Sequence, residues 1–293
     1  MKHQQAWAVV LAGGDGTRLR PLTRIITGED RPKQFCRLYD GQTLLEKTRS
    51  RLAVAIAPEQ TVFTVVKAHE IHYAKELAGV HSSRIVVQPS NRGTTAAIIN
   101  SLRRIKMLAG DPVVGFFPTD HHYADESRFA EGLSRTIEMA SMRRKTIILM
   151  GARAEHPEVD YGWIEPGAPL GTASLFRVAR FWEKPSAELA ERLFGAGCLW
   201  NTFVMVGRAS AFADILNTAV PHMMQNTAPG EDSDAIVAAD FSRHVLSSSA
   251  SRLAVFEMSD VGWSDLGTPD RLKLTLARHG LDLPYDNQLV ASA

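Results

Sequence analysis

An apolar run, Trp7-Ala-Val-Val-Leu11, opens directly into Ala12-Gly-Gly-Asp-Gly-Thr-Arg18, so that three glycines crowd into four positions at the end of a short buried strand. No other stretch restricts the fold as tightly. With no Cβ in the way, the backbone N–H groups of such a loop can close on a polyanion, and Arg18 adds a positive charge beside them. The loop is not a Walker A, because no Gly-Lys-[Ser/Thr] follows. Nor is it a dinucleotide fingerprint, because Leu19 stands where the third glycine of GxGxxG belongs. Taken alone, the same glycines equally describe a tight strand-to-helix turn.

Downstream, strand-like and helix-like patterns alternate, as in a largely parallel sheet covered by helices. The pattern predicts strands over 6–11, 61–67, 84–88, 113–118 and 146–150, and helices over 43–54, 69–79, 94–108 and 126–142. The first of these helices opens on a Thr43-x-x-Glu46 capping box. The second half is less regular, with strands expected over 161–165, 175–183, 199–206 and 252–257, and helices over 187–194, 209–218, 232–246 and 269–277. There is no internal repeat or long linker, and one unit spanning 1–293 is expected, its halves meeting near residue 150. An open parallel sheet binds its ligands at the carboxyl ends of its strands. Polar clusters fall there: Gly13 to Arg18, Gln88-Pro-Ser-Asn-Arg-Gly-Thr94, and Pro118-Thr-Asp-His121.

A net charge of +1 gives no general affinity for nucleic acid or membranes, so an anionic ligand has to be met by local groups. No apolar run approaches the roughly 20 residues that span a bilayer, no signal-peptide core follows Met1, and a cytoplasmic protein is expected. Cys36 and Cys198 lack the spacing of a disulfide framework or a zinc site. His121-His122 has no HxH or HExxH partner, and no Gly-x-Ser-x-Gly elbow is present. Phe116, Phe117, Phe181 and Trp182 lie in strands and are expected in the core.

Asp120 follows an apolar run that delivers its carboxylate to a strand end. Asp265 sits among Gly262-Trp-Ser-Asp-Leu-Gly267. Magnesium favours one or two such carboxylates together with phosphate oxygens, although either aspartate also suits a helix cap. Lys33, in Arg31-Pro-Lys-Gln-Phe35, and Lys184, in Phe181-Trp-Glu-Lys-Pro185, each adjoin a proline that stiffens the chain near a phosphate. Lys184, preceding Pro185, is expected to be extended. Arg92 and Thr94 mark the start of a helix, where unpaired N–H groups favour an anion or a base edge.

Together, Leu11-Ala-Gly-Gly-x-Gly-Thr-Arg-Leu-x-Pro-Leu22, Pro32-Lys-Gln-Phe35, Gln88-Pro-x-x-Arg-x-Thr94, Pro118-x-Asp-His121, Tyr161-Gly-x-Ile-Glu165, Glu183-Lys-Pro185, Trp200-Asn201 and Trp263-Ser-Asp265 resemble the sugar-1-phosphate nucleotidylyltransferases, above all the mannose-1-phosphate guanylyltransferases. The resemblance implies an α/β, Rossmann-like open mixed sheet, mainly parallel, with helices on both faces, of the nucleotide-diphospho-sugar transferase type. It implies that Leu11, Ala12, Gly13, Gly14, Gly16, Thr17 and Arg18 cradle a nucleoside triphosphate, with Arg18 and Lys33 on its phosphates. Gln88, Arg92 and Thr94 would face its base and ribose. Gly162, Glu165, Glu183 and Asn201 would bind the sugar, Lys184 its phosphate, and Asp120 and Asp265 a Mg²⁺ cofactor. The catalytic set would be Arg18, Lys33, Asp120, Lys184 and Asp265.

The chain departs from the resemblance in four places. Arg20 stands where guanylyltransferases usually carry tryptophan and is similar there to uridylyl- and thymidylyl-type relatives. Residues 26–30 lengthen the segment before Lys33. Thr202-Phe203 replaces the usual Ser-Gly, which bears on the sugar. The chain ends soon after Trp263, with no C-terminal β-helix expected, and a homodimer is left open. GTP and mannose-1-phosphate are the expected substrates. Another nucleotide with another hexose-1-phosphate, or a non-catalytic nucleotide-sugar-binding regulator, are the alternatives.

Overall fold

The computed structural model describes residues 6–171, 174–225 and 239–281. Strands β1 (Ala6–Leu11), β2 (Thr61–Val66), β3 (Ile85–Gln88) and β4 (Val113–Pro118) alternate with helices α1 (Arg20–Thr27), α2 (Leu44–Leu52), α3 (Glu70–Glu76) and α4 (Gly93–Ala109). A two-residue strand β5 (His122–Tyr123) precedes α5 (Glu126–Met142) and β6 (Ile147–Arg153). Then come β7 (Gly162–Pro169), β8 (Leu175–Glu183), α6 (Ala187–Gly195), β9 (Leu199–Arg208), α7 (Ala209–Ala219) and α8 (Pro221–Gln225). The last elements described are β10 (Leu253–Met258), β11 (Trp263–Ser264) and α9 (Pro269–Arg278).

Nine strands form one sheet in the order β3-β2-β1-β4-β9-β6-β10-β8-β7. Strands β1 to β4 are mutually parallel where they pair, as are β6 and β10, whereas β9 runs antiparallel to β4 and β6. The far end does not stay open. Strand β7 pairs with β8 and also with β9, so β9, β6, β10, β8 and β7 close a ring.

Period-two alternation explains the two cores, since successive residues of a strand face opposite sides of the sheet. In β1, Ala8 and Val10 meet a core shared with Phe129 and Leu133 of α5, while Val9 meets Ile98 and Leu102 of α4. In β10, Ala254 and Phe256 join the first core and Val255 the second. Phe116, Phe117 and Phe181 are buried, as expected of strand aromatics, whereas Trp182 is half-buried and packs at the margin of the first core. A third, smaller cluster joins Leu19, Leu22 and Leu38 to Leu266, Leu272 and Leu276, and so ties α9 to the segment after the glycine loop.

The capping box forms as expected: the Thr43 N–H donates to Glu46 Oε2 at 2.8 Å and the Glu46 N–H to Thr43 Oγ1 at 3.1 Å. Helix α1 was not expected, yet its signals are local. Pro21 lies in its first turn, and Gly28, with φ 74°, closes its end. The helix expected over 232–246 falls partly outside the described residues, and its described end, Phe241–Leu246, is a π-helical turn. Among the described residues no helix is long and apolar enough to cross a membrane. Both cysteines are free and buried.

Candidate active site

The carboxyl ends of β1, β3 and β4 open onto a cleft of about 480 Å³. The ring reaches the same cleft through Gly162 of β7, Glu183 of β8 and Asn201 of β9. Twelve sequence-predicted residues line this one space: Leu11, Gly13, Gly14, Arg18, Gln88, Thr94, Asp120, Gly162, Glu183, Lys184, Asn201 and Asp265. The others stand around it. Ala12 is buried beneath the loop. Gly16 and Thr17 form the turn into α1, where Gly16 has φ 60° and a Cβ would lie 3.2 Å from the Lys33 backbone nitrogen, so only glycine fits without displacement. Arg92 precedes α4 at the rim. Glu165 lies further along β7, where its Oε2 accepts a hydrogen bond from Trp182 Nε1 at 3.4 Å.

The glycine loop is held by a side chain that motif spacing did not single out. Gln34, nearly inaccessible, donates from Nε2 to the carbonyls of Ala12 at 3.0 Å and Gly14 at 2.8 Å. Ala12 in turn donates its N–H to Thr64 O at 2.8 Å. The loop's Asp15 accepts from Asn91 Nδ2 at 2.8 Å, and Asn91 Oδ1 accepts from the Gly93 N–H at 3.0 Å, which couples the loop to the start of α4.

Asp120 and Asp265, far apart in the chain, reach one cleft through a two-stranded sheet of β5 and β11. Tyr123 pairs with Trp263 and His122 with Ser264, directly beside the two aspartates. Lys33 Nζ lies 2.7 Å from Asp120 Oδ2 and donates to Leu266 O at 3.3 Å, bridging both segments. Lys33 is therefore the ion-pair partner of Asp120 here. Burial alone would raise the Asp120 carboxyl, but the Lys33 ammonium holds it below the usual carboxylate value. His121 is pushed down by burial, so it stays neutral, and its Nδ1 accepts from Trp263 Nε1 at 3.2 Å.

Asp265 is oriented by three donors: Arg271 Nη1 at 2.8 Å, the Gly267 N–H at 2.9 Å and the Tyr161 hydroxyl at 3.2 Å. All three fall on Oδ1. Among the described residues no hydrogen bond falls on Oδ2, which is left available to a cation. Arg271 also pairs with Glu158 at 3.1 Å, and its guanidinium lies 4.6 Å from the Tyr161 ring centre. Its place in α9 carries no motif, and only its spacing from Asp265 could have pointed to it. The donor chemistry suits Mg²⁺: two carboxylates face one cleft, and among the described residues no third His, Cys, Asp or Glu completes a cage. Substrate oxygens and water would have to fill the coordination shell.

At the other end, Gly162 permits close packing. A Cβ there would lie 2.9 Å from Glu183 Oε2 and 3.3 Å from the Asn201 Cβ. Burial raises the Glu183 carboxyl, and Asp240 adds to the shift. The extended backbone expected for Lys184 is corrected: its φ is 48°, in the left-handed region. The pairing of β7 with β8 ends here, where the Lys184 N–H donates to Tyr161 O at 3.1 Å and the chain turns off toward Pro185. A left-handed φ at a non-glycine residue costs free energy and persists only where the surrounding structure imposes it. Arg20, in contrast, lies on the exposed first turn of α1 and does not line the cleft.

The family model described as nucleotidyl transferase matches residues 7–277. The xanthan biosynthesis protein XanB of Xanthomonas campestris pv. campestris (strain B100) is 31% identical over 280 residues, covering 89% of this chain and 57% of its own length. Mannose-1-phosphate guanylyltransferase 2 of Escherichia coli O157:H7 is 30% identical over 286 residues, covering 89% of this chain and 58% of its own. The chain thus spans less than two thirds of the length of these relatives. A solved Thermus thermophilus structure, described as a mannose-1-phosphate geranyltransferase, superposes with a TM-score of 0.79 at 28% identity, over 90% of this chain and 77% of its own. A UDP-glucose pyrophosphorylase structure, at 16% identity and a TM-score of 0.60, shares the fold. With the mixed sheet, the glycine loop and the two-ended cleft, a match running through nearly all of the described residues makes this chain a member of the nucleotidyl transferase family.

Proposed function

We propose that this chain transfers a nucleotidyl group from GTP to mannose-1-phosphate, releasing pyrophosphate and forming GDP-mannose, a step of nucleotide-sugar synthesis. The observation that carries the reading is the meeting, in one cleft, of a glycine loop with Arg18, two carboxylates from distant segments, and Lys184 beside Gly162 and Asn201. The nucleotide end is assigned to the half before residue 150 and the sugar end to the half after it. The guanylyltransferase relative supports the choice of base and sugar.

In this reading a phosphate oxygen of the sugar phosphate attacks the α-phosphorus in line. The new O–Pα bond forms as the bond to the β-phosphate oxygen breaks, and pyrophosphate carries away the electron pair. An ionised phosphate is already a competent nucleophile, so no residue has to remove a proton. The barrier is the approach of two anions, and positioned cations lower it. Arg18 meets the triphosphate at the glycine loop, and Lys184 fixes the sugar phosphate opposite. Lys33 starts on Asp120 and exchanges that carboxylate for a phosphate oxygen. Asp120 and Asp265 would hold Mg²⁺, which supplies charge neutralisation at the phosphates when bound.

Incubation with Mg²⁺, GTP and mannose-1-phosphate should release pyrophosphate, and Asp120→Asn should abolish the release while leaving the fold intact. Phe203, which lines the cleft, favours a second reading in which the reaction is kept and the hexose differs. A panel of four triphosphates against several sugar phosphates separates the two. Nucleotide binding without turnover on any pair would indicate a non-catalytic binder instead.

A further inference from the structure

Strand β9 breaks register against β6 at the cleft. Met205 faces Leu149 and Asn201 faces Gly151, so Thr202, Phe203 and Val204 bulge opposite Met150 alone. The bulge is fastened on each side of Phe203. Thr202 Oγ1 donates to Met150 O at 2.6 Å, the Val204 N–H donates to Thr202 Oγ1 at 3.3 Å, and the Phe203 N–H donates to Asn201 Oδ1 at 3.1 Å. Phe203 is thereby held at φ 58°, a left-handed conformation that a bulky residue rarely adopts. Bulges re-aim side chains, and a strained φ survives only where the surroundings impose it. Phe203 lines the cleft that Asn201, Glu183, Lys184 and Ser242 also line, and its ring packs at the edge of the second core, edge-to-face on Phe241 with ring centres 6.0 Å apart.

Those four lining residues are polar or charged, whereas the Phe203 ring offers an apolar face and no hydrogen bond. We propose that Phe203 selects the acceptor, an inference that rests on the nucleotidyl-transfer reading. It admits an unsubstituted hexose-1-phosphate, whose C–H face rests on the ring, and rejects one bearing a bulky polar substituent there, such as an acetamido group. Such a group would need room that the ring fills and would lose its hydration without finding a partner.

The test compares kcat/KM for mannose-1-phosphate with that for N-acetylglucosamine-1-phosphate, and for glucose-1-phosphate with the same N-acetylated compound, in wild type, Phe203→Gly and Phe203→Asn. Glycine and asparagine both tolerate the left-handed φ, so the second variant stands in if the first loses its fold. The expected result is a preference for the unsubstituted sugar that falls at least tenfold in a folded variant, while KM for the triphosphate changes less than twofold. A wild-type enzyme that turns over but whose preference is unchanged in both variants overturns the inference. If no pair releases pyrophosphate, the nucleotidyl-transfer reading fails instead. Calorimetric binding of the same sugar phosphates then decides for Phe203, and an unchanged affinity ratio counts against it.

Discussion

Gln34 offers a direct measure of what holds the glycine loop. Its Nε2 is the hydrogen-bond donor shared by two loop carbonyls, one at the buried Ala12 and one at the partly exposed Gly14. Gln34→Leu keeps nearly the same volume and deletes that donor. Leaving the Ala12 carbonyl buried and unpaired costs about 1–3 kcal/mol, and losing the bond at Gly14, which water can replace, costs about 0.5–1.5 kcal/mol. Under the proposed function, the nucleotide-bound state needs the loop in its native shape. Whatever part of the cost the free loop sheds by relaxing therefore returns as weaker nucleotide binding. The losses in unfolding free energy and in binding free energy should sum to about 1.5–4.5 kcal/mol. Urea unfolding gives the first and calorimetric titration with GTP the second. Gln34→Glu removes the same donor and sets an anion against two carbonyl oxygens, so at pH 8 it has to fare worse than leucine. A combined loss below about 1 kcal/mol, or a glutamate variant that outperforms the leucine variant, would show that the loop holds itself and that Gln34 is incidental.

Lys184→Gly removes a left-handed non-glycine residue together with its ammonium. Thermal stability should match or exceed wild type, by about 1 kcal/mol at most, while pyrophosphate release falls at least a hundredfold; a parallel loss of both would deny the lysine its separate role. Arg271→Met leaves Asp265 without its 2.8 Å guanidinium contact, so Mn²⁺ affinity, followed by the resonance of the free ion, should weaken by roughly 10–100-fold, and Arg271→Lys should recover part of it. Unchanged affinity in a folded Arg271→Met protein would remove Arg271 from the metal argument. Burial raises the Glu76 carboxyl even though Thr43 Oγ1 donates to it at 2.8 Å. The folded chain then holds that proton more tightly than the unfolded one, so this contribution is present at low pH and is lost as pH rises from the ordinary carboxylate range through the raised value. Relative to wild type, Glu76→Gln should gain stability between pH 4 and pH 7 in urea unfolding, and a constant difference would contradict the shift.

Much of the first half was legible because its signals are local. Apolar runs of strand length, helical spacing in α4 and α5, and the Thr43–Glu46 capping box each lie within a single element. Strand ends that carry polar clusters then located one side of the cleft. The other side depended on contacts with no local period. Two residues of β5 against two of β11 bring Asp120 and Asp265 to one cleft, and no strand pattern exists over two residues. Arg271 acts from an ordinary amphipathic helix, and Gln34 acts through carbonyls that every sequence possesses. At Lys184 the proline rule predicted extended backbone, but the end of the β7–β8 ladder required a turn, and the tertiary demand prevailed. Phe203 showed its bulk in the sequence, while its φ emerged only from the bulge against Met150.

The closed ring of β9, β6, β10, β8 and β7 bears on how the cleft can change its shape. An open edge can slide or splay one strand at a time, whereas a ring has no end from which to start. Gly162, Glu183 and Asn201 are mounted on that ring like the jaws of a fixed gauge, their spacing set by every ladder at once. Under the proposed function, a larger sugar cannot be met by shifting one strand alone. In that reading, a change of acceptor works by exchanging side chains on that frame, while the glycine loop, on the β1 side outside the ring, is fastened separately by Gln34 and Asn91.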